Sequence, residues 1–199
     1  MTDVKPLLVA TRNAHKTEEI ASMLNGRYLV KDLNGSDFPV VEETGTTFLQ
    51  NATLKAVGIS KLCKGVVLSD DSGLEVDALG GEPGVYSSSY GGEEGNHTKN
   101  NVRLMSELSS LGEGESRSAR FRCVMVLASA GEVVASFEGV VEGRIIEALR
   151  GAGGFGYDPL FIPEGYEETF AELGNEVKNK MSHRGRALSQ VVEFLEQGS

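Results

Sequence analysis

Short apolar runs alternate with amphipathic stretches along this chain. The runs at Leu7–Ala10, Tyr28–Val30, Val66–Leu68 and Leu160–Ile162 predict short strands, and those at Leu7–Ala10 and Val66–Leu68 are expected to be buried. Apolar residues at helical spacing predict four helices, with core positions that include Ile20 and Leu24, Phe48 and Ile59, Leu104 and Leu108, and Leu188 and Val191. The second of these helices is expected to begin with Thr46 or Thr47 as its N-cap. Strands interleaved with helices in this way indicate the α/β class.

The longest β pattern lies between residues 120 and 141. Phe121, Cys123, Met125 and Leu127 alternate with their neighbours, and the turn residues 130–132 then lead into an apolar run from Val133. We predict a long hairpin at one end of a mixed sheet, with its apolar stripe in the core.

Size and charge narrow the functional classes. A chain of 199 residues suits one domain, residues 1–199, or one domain with a cleft between two lobes. Its net charge of −10 argues against a nucleic acid polymer or an anionic membrane as partner. The chain has neither a signal-peptide layout nor a long apolar run, so we expect it in the cytoplasm, with Cys63 and Cys123 as free thiols.

The strand at Val66–Leu68 leads into two adjacent carboxylates, a hydroxyl and a glycine, at Asp70, Asp71, Ser72 and Gly73. On an extended strand the two aspartates point to opposite sides. Their mutual repulsion would be relieved by a divalent cation. The alternative is that Asp70 and Ser72 only cap a turn, which this stretch alone slightly favours.

Two other segments offer ligands for an anion. Residues 11–16 join a strand to a helix, where free N–H groups favour phosphate, although a plain N-cap loop with a solvated lysine explains the same pattern. Glu43 precedes the second helix, and Lys55 lies on it one turn after Asn51. Glu43 could join the aspartates at a cation while Lys55 meets phosphates, or both could be ordinary solvated charges.

A glycine-rich segment, residues 151–159, contains Phe155, Tyr157 and Asp158. The aromatic rings could stack on a base and Asp158 could accept from ring N–H groups, or the rings could pack inward. Residues 178–186 concentrate donors just before the last helix, which favours a site for an anion or a carbonyl group.

Together these segments resemble one known family. The ordered motifs are Thr11-x-Asn13-x-x-Lys16, Glu42-Glu43-Thr44-Gly45, Asn51-Ala52-x-x-Lys55-Ala56, Asp70-Asp71-Ser72-Gly73-Leu74, Gly80-Gly81-x-Pro83-Gly84-x-Tyr86, Gly153 to Pro159 and Ser182-His183-Arg184. They are similar to those of the inosine triphosphate pyrophosphatase family, also called the Ham1-like family, over nearly the whole chain.

The resemblance implies a long sheet flanked by two lobes with a central substrate cleft, a homodimer, and Mg²⁺-dependent cleavage of ITP, dITP and XTP to monophosphate and pyrophosphate. It assigns metal binding to Glu43, Asp71 and Asp70, and it makes Asp71 the general base. It assigns substrate binding to Thr11, Arg12, Asn13, Ala14, His15, Lys16, Lys55, Ser72, Phe155, Gly156, Tyr157, Asp158, Lys178, His183 and Arg184. Two residues depart from the family pattern: Arg12 replaces the usual glycine, and Ser89 replaces a frequent arginine.

Hydrogen bonding explains how such a site would choose its base. Hypoxanthine and xanthine present a 6-oxo acceptor and an N1–H donor, whereas adenine presents the reverse. Donation from His183 and Arg184, together with a fixed acceptor, would therefore reject ATP. Rejection of GTP would depend on its 2-amino group, and the sequence assigns no residue to that contact. A metal-dependent phosphomonoesterase and a non-catalytic nucleotide sensor are the two alternative functions.

Overall fold

The computed structural model describes residues 4–110 and 116–197. Its strands are β1 (Lys5–Val9), β2 (Tyr28–Lys31), β3 (Val66–Val76), β4 (Ser118–Ser129), β5 (Glu132–Ile145) and β6 (Phe161–Pro163). Its α-helices are α1 (Ala14–Leu24), α2 (Phe48–Ser60), α3 (His97–Ser109), α4 (Gly174–Met181) and α5 (His183–Gln197). The predicted α/β class is therefore confirmed. Within the same residues, no helix is long and apolar enough to cross a membrane.

The strands form one mixed sheet with the order β2-β1-β3-β4-β5-β6. Strand β1 is parallel to both β2 and β3, whereas β5 and β6 are antiparallel. The predicted hairpin is β4 and β5, and its two-residue turn has φ angles of 51° at Ala130 and 87° at Gly131. Positive φ at both positions matches the right-handed twist of the flanking strands, which explains the tight connection.

The chain divides into two compact units. The first contains residues 1–71, 123–139 and 184–199. In this unit Leu68 packs with α1 and α5 residues such as Ile20 and Leu188, whereas its neighbour Val67 packs with Ile59 of α2. Successive strand residues face opposite sides of a sheet, so the first unit has helices on both faces of its strands.

The second unit contains residues 72–122 and 140–183. Its core joins the later part of β3 to α3, β4, β5 and the segment that follows. The core residues are Leu74, Val76, Tyr90, Leu104, Leu108, Ala119, Phe121, Val141, Ile145, Tyr157, Leu160, Phe161 and Phe170. The second unit thus has an apolar core of its own, formed by residues between Leu74 and Phe170.

Three predictions about elements need correction. Strand β3 does not end at Leu68 but continues as far as Val76, so the turn at Asp70 to Gly73 is wrong. The polar, glycine-rich sequence from Ser87 to Asn101 predicts a loop that precedes the third helix, but helix α3 already begins at His97, because the Asn96 side chain caps it by accepting from the N–H of Lys99. Residues 178–186 were expected to precede the last helix, but Lys178 lies within an additional helix, α4, and α5 already begins at His183.

Candidate active site

The two aspartates of β3 lie in different surroundings, although they are adjacent in sequence. Asp70 is fully buried and Asp71 is 7% exposed. Asp70 contacts Lys16 of α1, whereas Asp71 contacts Lys55 of α2. The continuous strand explains this separation, because alternate side chains point to opposite faces of the sheet.

Asp70 is the centre of a charged cluster in the first unit. Its Oδ2 lies 3.1 Å from Lys16 Nζ and 3.2 Å from Arg184 Nη2. The Arg184 guanidinium, itself 1% exposed, also binds Glu19. Burial alone would raise the pKa of Asp70, but Lys16 and Arg184 outweigh it and hold that pKa well below its usual range. Asp70 therefore stays ionised and orients both cations.

Asp71 belongs to a second group, with Lys55 and Glu43. Lys55 Nζ lies 2.9 Å from Glu43 Oε2 and 3.5 Å from Asp71 Oδ1. Burial raises the pKa of Asp71 to about 6, although Lys55 and Lys16 oppose the rise. Asp71 Oδ2 is buried and has no hydrogen-bond partner among the described residues. One oxygen of this carboxylate thus remains available as an acceptor.

The loop that carries Glu43 is fixed from helix α2. Asn51, which is 3% exposed, accepts at Oδ1 from the N–H of Gly45 at 2.8 Å. A Cβ at Gly45 would lie 2.7 Å from that same Oδ1, so only glycine allows the close approach. Thr47 caps the helix, as predicted, by accepting from the N–H of Gln50. Asn51 and Thr47 thereby hold Glu43 near Lys55.

The surroundings of Asp71 suit a magnesium ion. In residues 4–110 and 116–197, no three His, Cys, Asp or Glu side chains converge on a metal position. Mg²⁺ needs fewer protein ligands, since it commonly binds one or two carboxylates and completes its shell with water and substrate phosphates. Glu43 and Asp71 supply two carboxylates, and Lys55 already brings a positive charge to both. The donor set therefore fits the predicted ion.

The segment from Thr11 to Lys16 forms a capped helix start, as the simpler interpretation expected. Asn13 Oδ1 accepts from the N–H of His15 and of Lys16, and Thr11 Oγ1 accepts from the N–H of Asn13. The side chain of Lys16 is only 15% exposed, so it is not the solvated lysine of that interpretation. Ala14 and His15 are exposed in the first turn of α1.

Arg12, where the family pattern has glycine, makes contacts of its own. Its guanidinium donates to the carbonyl oxygens of Leu33 and Phe38, each at 2.6 Å. In this structure Arg12 therefore holds the segment after β2 in place. Ser89, the other departure, donates its N–H to the carbonyl oxygen of Tyr86 in a turn.

In the second unit, Lys178 and Asp158 form a buried ion pair with 2.6 Å between Nζ and Oδ2. The same Oδ2 accepts from the N–H of Phe155 at 2.8 Å, and Lys178 Nζ lies 5.0 Å from the centre of the Phe155 ring. A Cβ at Gly154 would approach Asp158 Oδ2 to 2.1 Å. The pair thus shapes the loop that presents Phe155.

Two other predicted residues of the second unit, Tyr157 and His183, are also buried. Tyr157 is 4% exposed and donates its hydroxyl to the carbonyl oxygen of Ser87, so its ring packs inward. His183 is 5% exposed, and its ring stacks on Phe121 with centroids 4.8 Å apart. Ser72 is half-buried in β3. Phe155, which is half-buried, keeps the more accessible of the two aromatic rings.

The structure thus brings the predicted residues together in separate groups. One contains Lys16, Asp70 and Arg184, another contains Glu43, Lys55 and Asp71, and the third contains Phe155, Asp158 and Lys178. Sequence reasoning missed Glu19 because its partner lies 165 positions away. The Asn51-Ala52 motif was the available signal for the role of Asn51.

Comparisons with known proteins agree on one family. The sequence profile of the Ham1 family matches residues 7–194. Proteins named dITP/XTP pyrophosphatase from Bacillus licheniformis and Bacillus subtilis are 47% and 44% identical, and each match covers 98% of this chain and 100% of the relative. The solved Ham1 protein of Staphylococcus aureus is 37% identical with a TM-score of 0.84, covering 98% of this chain and 100% of that one. A profile and relatives that extend over nearly its whole length place the chain in the Ham1 family.

Proposed function

We propose that this chain hydrolyses the non-canonical purine nucleoside triphosphates ITP, dITP and XTP to the nucleoside monophosphate and pyrophosphate, with Mg²⁺ as cofactor. Its relatives from two Bacillus species carry the name dITP/XTP pyrophosphatase, which supports a pyrophosphate-releasing hydrolase. The observation that carries the proposal is the group formed by Asp71, Lys55 and Glu43, in which Asp71 Oδ2 is a buried acceptor without a partner among the described residues.

Phosphoryl transfer requires positioning and charge neutralisation more than covalent chemistry from the protein. Glu43 and Asp71 would hold Mg²⁺, with Asp70 close by in sequence. When bound, the ion would polarise the phosphoryl group and offset the charge of the phosphates. Asp71 Oδ2 would accept the proton of the attacking water as general base.

The phosphates are assigned to residues of the first unit. Lys16 and Lys55 each supply a charge, and Thr11 and Asn13 shape the start of α1, where N–H groups favour anions. Lys55 neutralises Glu43 and Asp71 in the free protein. Once a cation is bound between Glu43 and Asp71, Lys55 Nζ can turn to the phosphates. Arg184 contributes by holding Asp70, and through it Lys16.

The base is assigned to residues of the second unit. Phe155 would stack on it, while Asp158 and Lys178 set the shape of the loop that carries this ring. Donation from His183 to the 6-oxo group would favour hypoxanthine and xanthine over adenine. A homodimer in the cytoplasm is also part of the proposal, and light scattering would test the dimer against the 21.3 kDa mass of one chain.

A substrate panel tests the proposal. The chain is incubated with ITP, XTP, GTP and ATP at equal concentrations, with Mg²⁺ or with EDTA, and loss of each triphosphate is followed by chromatography. We expect ITP and XTP to be consumed at least about tenfold faster than GTP and ATP, and only with Mg²⁺. Equal rates for all four, or binding without turnover, would overturn the proposal.

A further inference from the structure

Helix α3 contacts the loop assigned to the base. The ring of His97 lies 5.9 Å from that of Phe155, with an angle of 52° between the planes. Four residues later, Asn101 donates from Nδ2 to the carbonyl oxygen of Gly156 at 3.0 Å. Residues four apart share one face of a helix, so this face of α3 lies against residues 155 and 156.

Asn101 is buried, at 7% exposure, but only half of its amide is paired. Oδ1 is buried and has no hydrogen-bond partner in residues 4–110 or 116–197. The orientation of the amide is determined by its neighbour, because only the NH₂ group can donate to the Gly156 carbonyl. A buried acceptor without a hydrogen bond costs free energy, so we expect a ligand or a bound water to donate to this oxygen.

Asn100, the residue before Asn101, has no such unpaired acceptor among the described residues. Asn100 accepts at Oδ1 from the N–H of Gly91 at 2.6 Å. Its Nδ2 donates to the carbonyl oxygens of Ser87 and Ser88, at 3.2 and 3.0 Å. Asn100 is therefore fully satisfied within the protein and braces a loop. Asn101 has the same side-chain amide, but its Oδ1 accepts no hydrogen bond from the described residues and lies beside the loop that carries Phe155.

We propose that Asn101 selects the base: its Oδ1 accepts the N1–H of a 6-oxopurine stacked on Phe155, directly or through one bridging water. Hypoxanthine, xanthine and guanine all carry this N–H, whereas adenine has an unprotonated N1 that would face the acceptor with a lone pair. The inference rests on the proposed function and adds the fixed acceptor that rejection of ATP requires. Because guanine also has an N1–H, Asn101 does not exclude GTP.

Kinetics of two Asn101 variants separate base selection from support of the loop. Asn101→Leu removes both the acceptor and the donor. We expect its kcat/KM ratio for ITP over ATP to fall about tenfold, with GTP falling in parallel to ITP. Asn101→Asp keeps an acceptor but loses the donor to Gly156. This variant should lower kcat/KM for every nucleotide, whereas its ratio of kcat/KM for ITP over ATP should stay within about threefold of the wild-type ratio.

The matched control is Asn100→Leu, which should reduce all rates by a common factor because Asn100 only braces the fold. If Asn101→Leu also lowers kcat/KM for ITP, GTP and ATP by one common factor, Asn101 only supports the loop and the inference is wrong. A second readout does not need turnover: binding of inosine monophosphate and adenosine monophosphate by calorimetry. Asn101→Leu should lose the preference for the inosine compound, and an unchanged preference would overturn the inference even if the chain hydrolyses no triphosphate.

Discussion

Asp70 and Asp71 are chemically identical neighbours, yet their environments give them different tasks. Asp70 is paired with two cations, and its ionised form is favoured. Asp71 shares one lysine with Glu43, and its Oδ2 has no hydrogen-bond partner in the part of the chain that the structure describes. A carboxylate that must accept a proton or a metal needs such an oxygen, whereas a carboxylate already bound by two cations serves to position them.

We therefore expect Asp71→Asn to abolish turnover and leave the fold intact. The amide is nearly the same shape as the carboxylate but removes its charge and replaces one acceptor oxygen with an NH₂ donor, and Lys55 retains Glu43 as a partner. The melting temperature should stay within a few degrees of the wild type, while kcat falls by at least about a hundredfold.

Asp70→Asn is the matched control for stability. It takes the charge away from the buried contacts with Lys16 and Arg184, so its melting temperature should drop well below that of Asp71→Asn. Wild-type kcat in Asp71→Asn would contradict the role assigned to Asp71.

The two cysteines should differ in reactivity. Cys123 is fully buried, and burial raises the pKa of its thiol to about 12, so almost no thiolate exists at pH 8. Cys63 is half-buried, and its thiol pKa is also raised by burial. Titration of the native protein with Ellman's reagent at pH 8 should detect one thiol, and titration in denaturant should detect two. A Cys63→Ser variant that still reacts in the native state would contradict this assignment.

Among the elements, the loop after β5 depends on two glycines with positive φ. Gly154 has φ of +70° and no room for a Cβ, whereas Gly156 has φ of +65° and open space around it. Gly156→Ala should cost about 1 kcal/mol of unfolding free energy from backbone strain alone. Gly154→Ala should cost more, because its methyl group would also displace Asp158. Urea denaturation measures both, and equal losses would mean that Asp158 moves without cost.

Helix α4 offers a similar comparison between two lysines. Lys178 is buried against Asp158, whereas Lys180 forms an exposed pair with Glu176. Removal of one partner from a buried pair leaves an uncompensated charge, so Lys178→Met should cost about 3 kcal/mol. Lys180→Met should change the unfolding free energy by less than about 0.5 kcal/mol. Similar losses in the two variants would show that the Lys178 pair is solvated.

The elements also show what the sequence could predict. Strands β1 and β2 and the β4–β5 hairpin follow from local apolar patterns, and the structure has them close to their expected positions. The extension of β3 through Asp70 to Gly73 did not follow from sequence. These polar residues are typical of turns, and they stay in a strand because distant cations, among them Arg184, pair with the buried carboxylate. Helix α4 was missed because it is short and strongly polar.

The same distinction holds for the candidate site. The residues proposed to bind phosphate and metal stand out in the sequence as charged residues close to apolar runs and helix starts. Residues that hold those ligands, such as Glu19 and Asn51, act through contacts that only the folded chain creates. The ordered motifs pointed to a family, and the Ham1 profile over residues 7–194 confirms it.

At the scale of the whole molecule, the net charge of −10 would repel a triphosphate, which is also negatively charged, whereas the proposed site must bind one. Local cations resolve this conflict. Lys16 and Lys55 lie in the first unit beside the buried carboxylates of Asp70 and Asp71, and these ion pairs hold each lysine in position. The acidic surface is consistent with a small nucleotide substrate, because a nucleic acid polymer requires a broad basic face.

The central claim is that the chain cleaves a purine nucleoside triphosphate so that pyrophosphate leaves as one unit. The most direct test incubates wild-type protein with ITP and Mg²⁺ and quantifies inosine monophosphate, inosine diphosphate, pyrophosphate and orthophosphate, with Asp71→Asn in parallel. We predict equal amounts of monophosphate and pyrophosphate from the wild type and neither from the variant. Inosine diphosphate with orthophosphate as the products, or equal yields from the variant, would contradict the account.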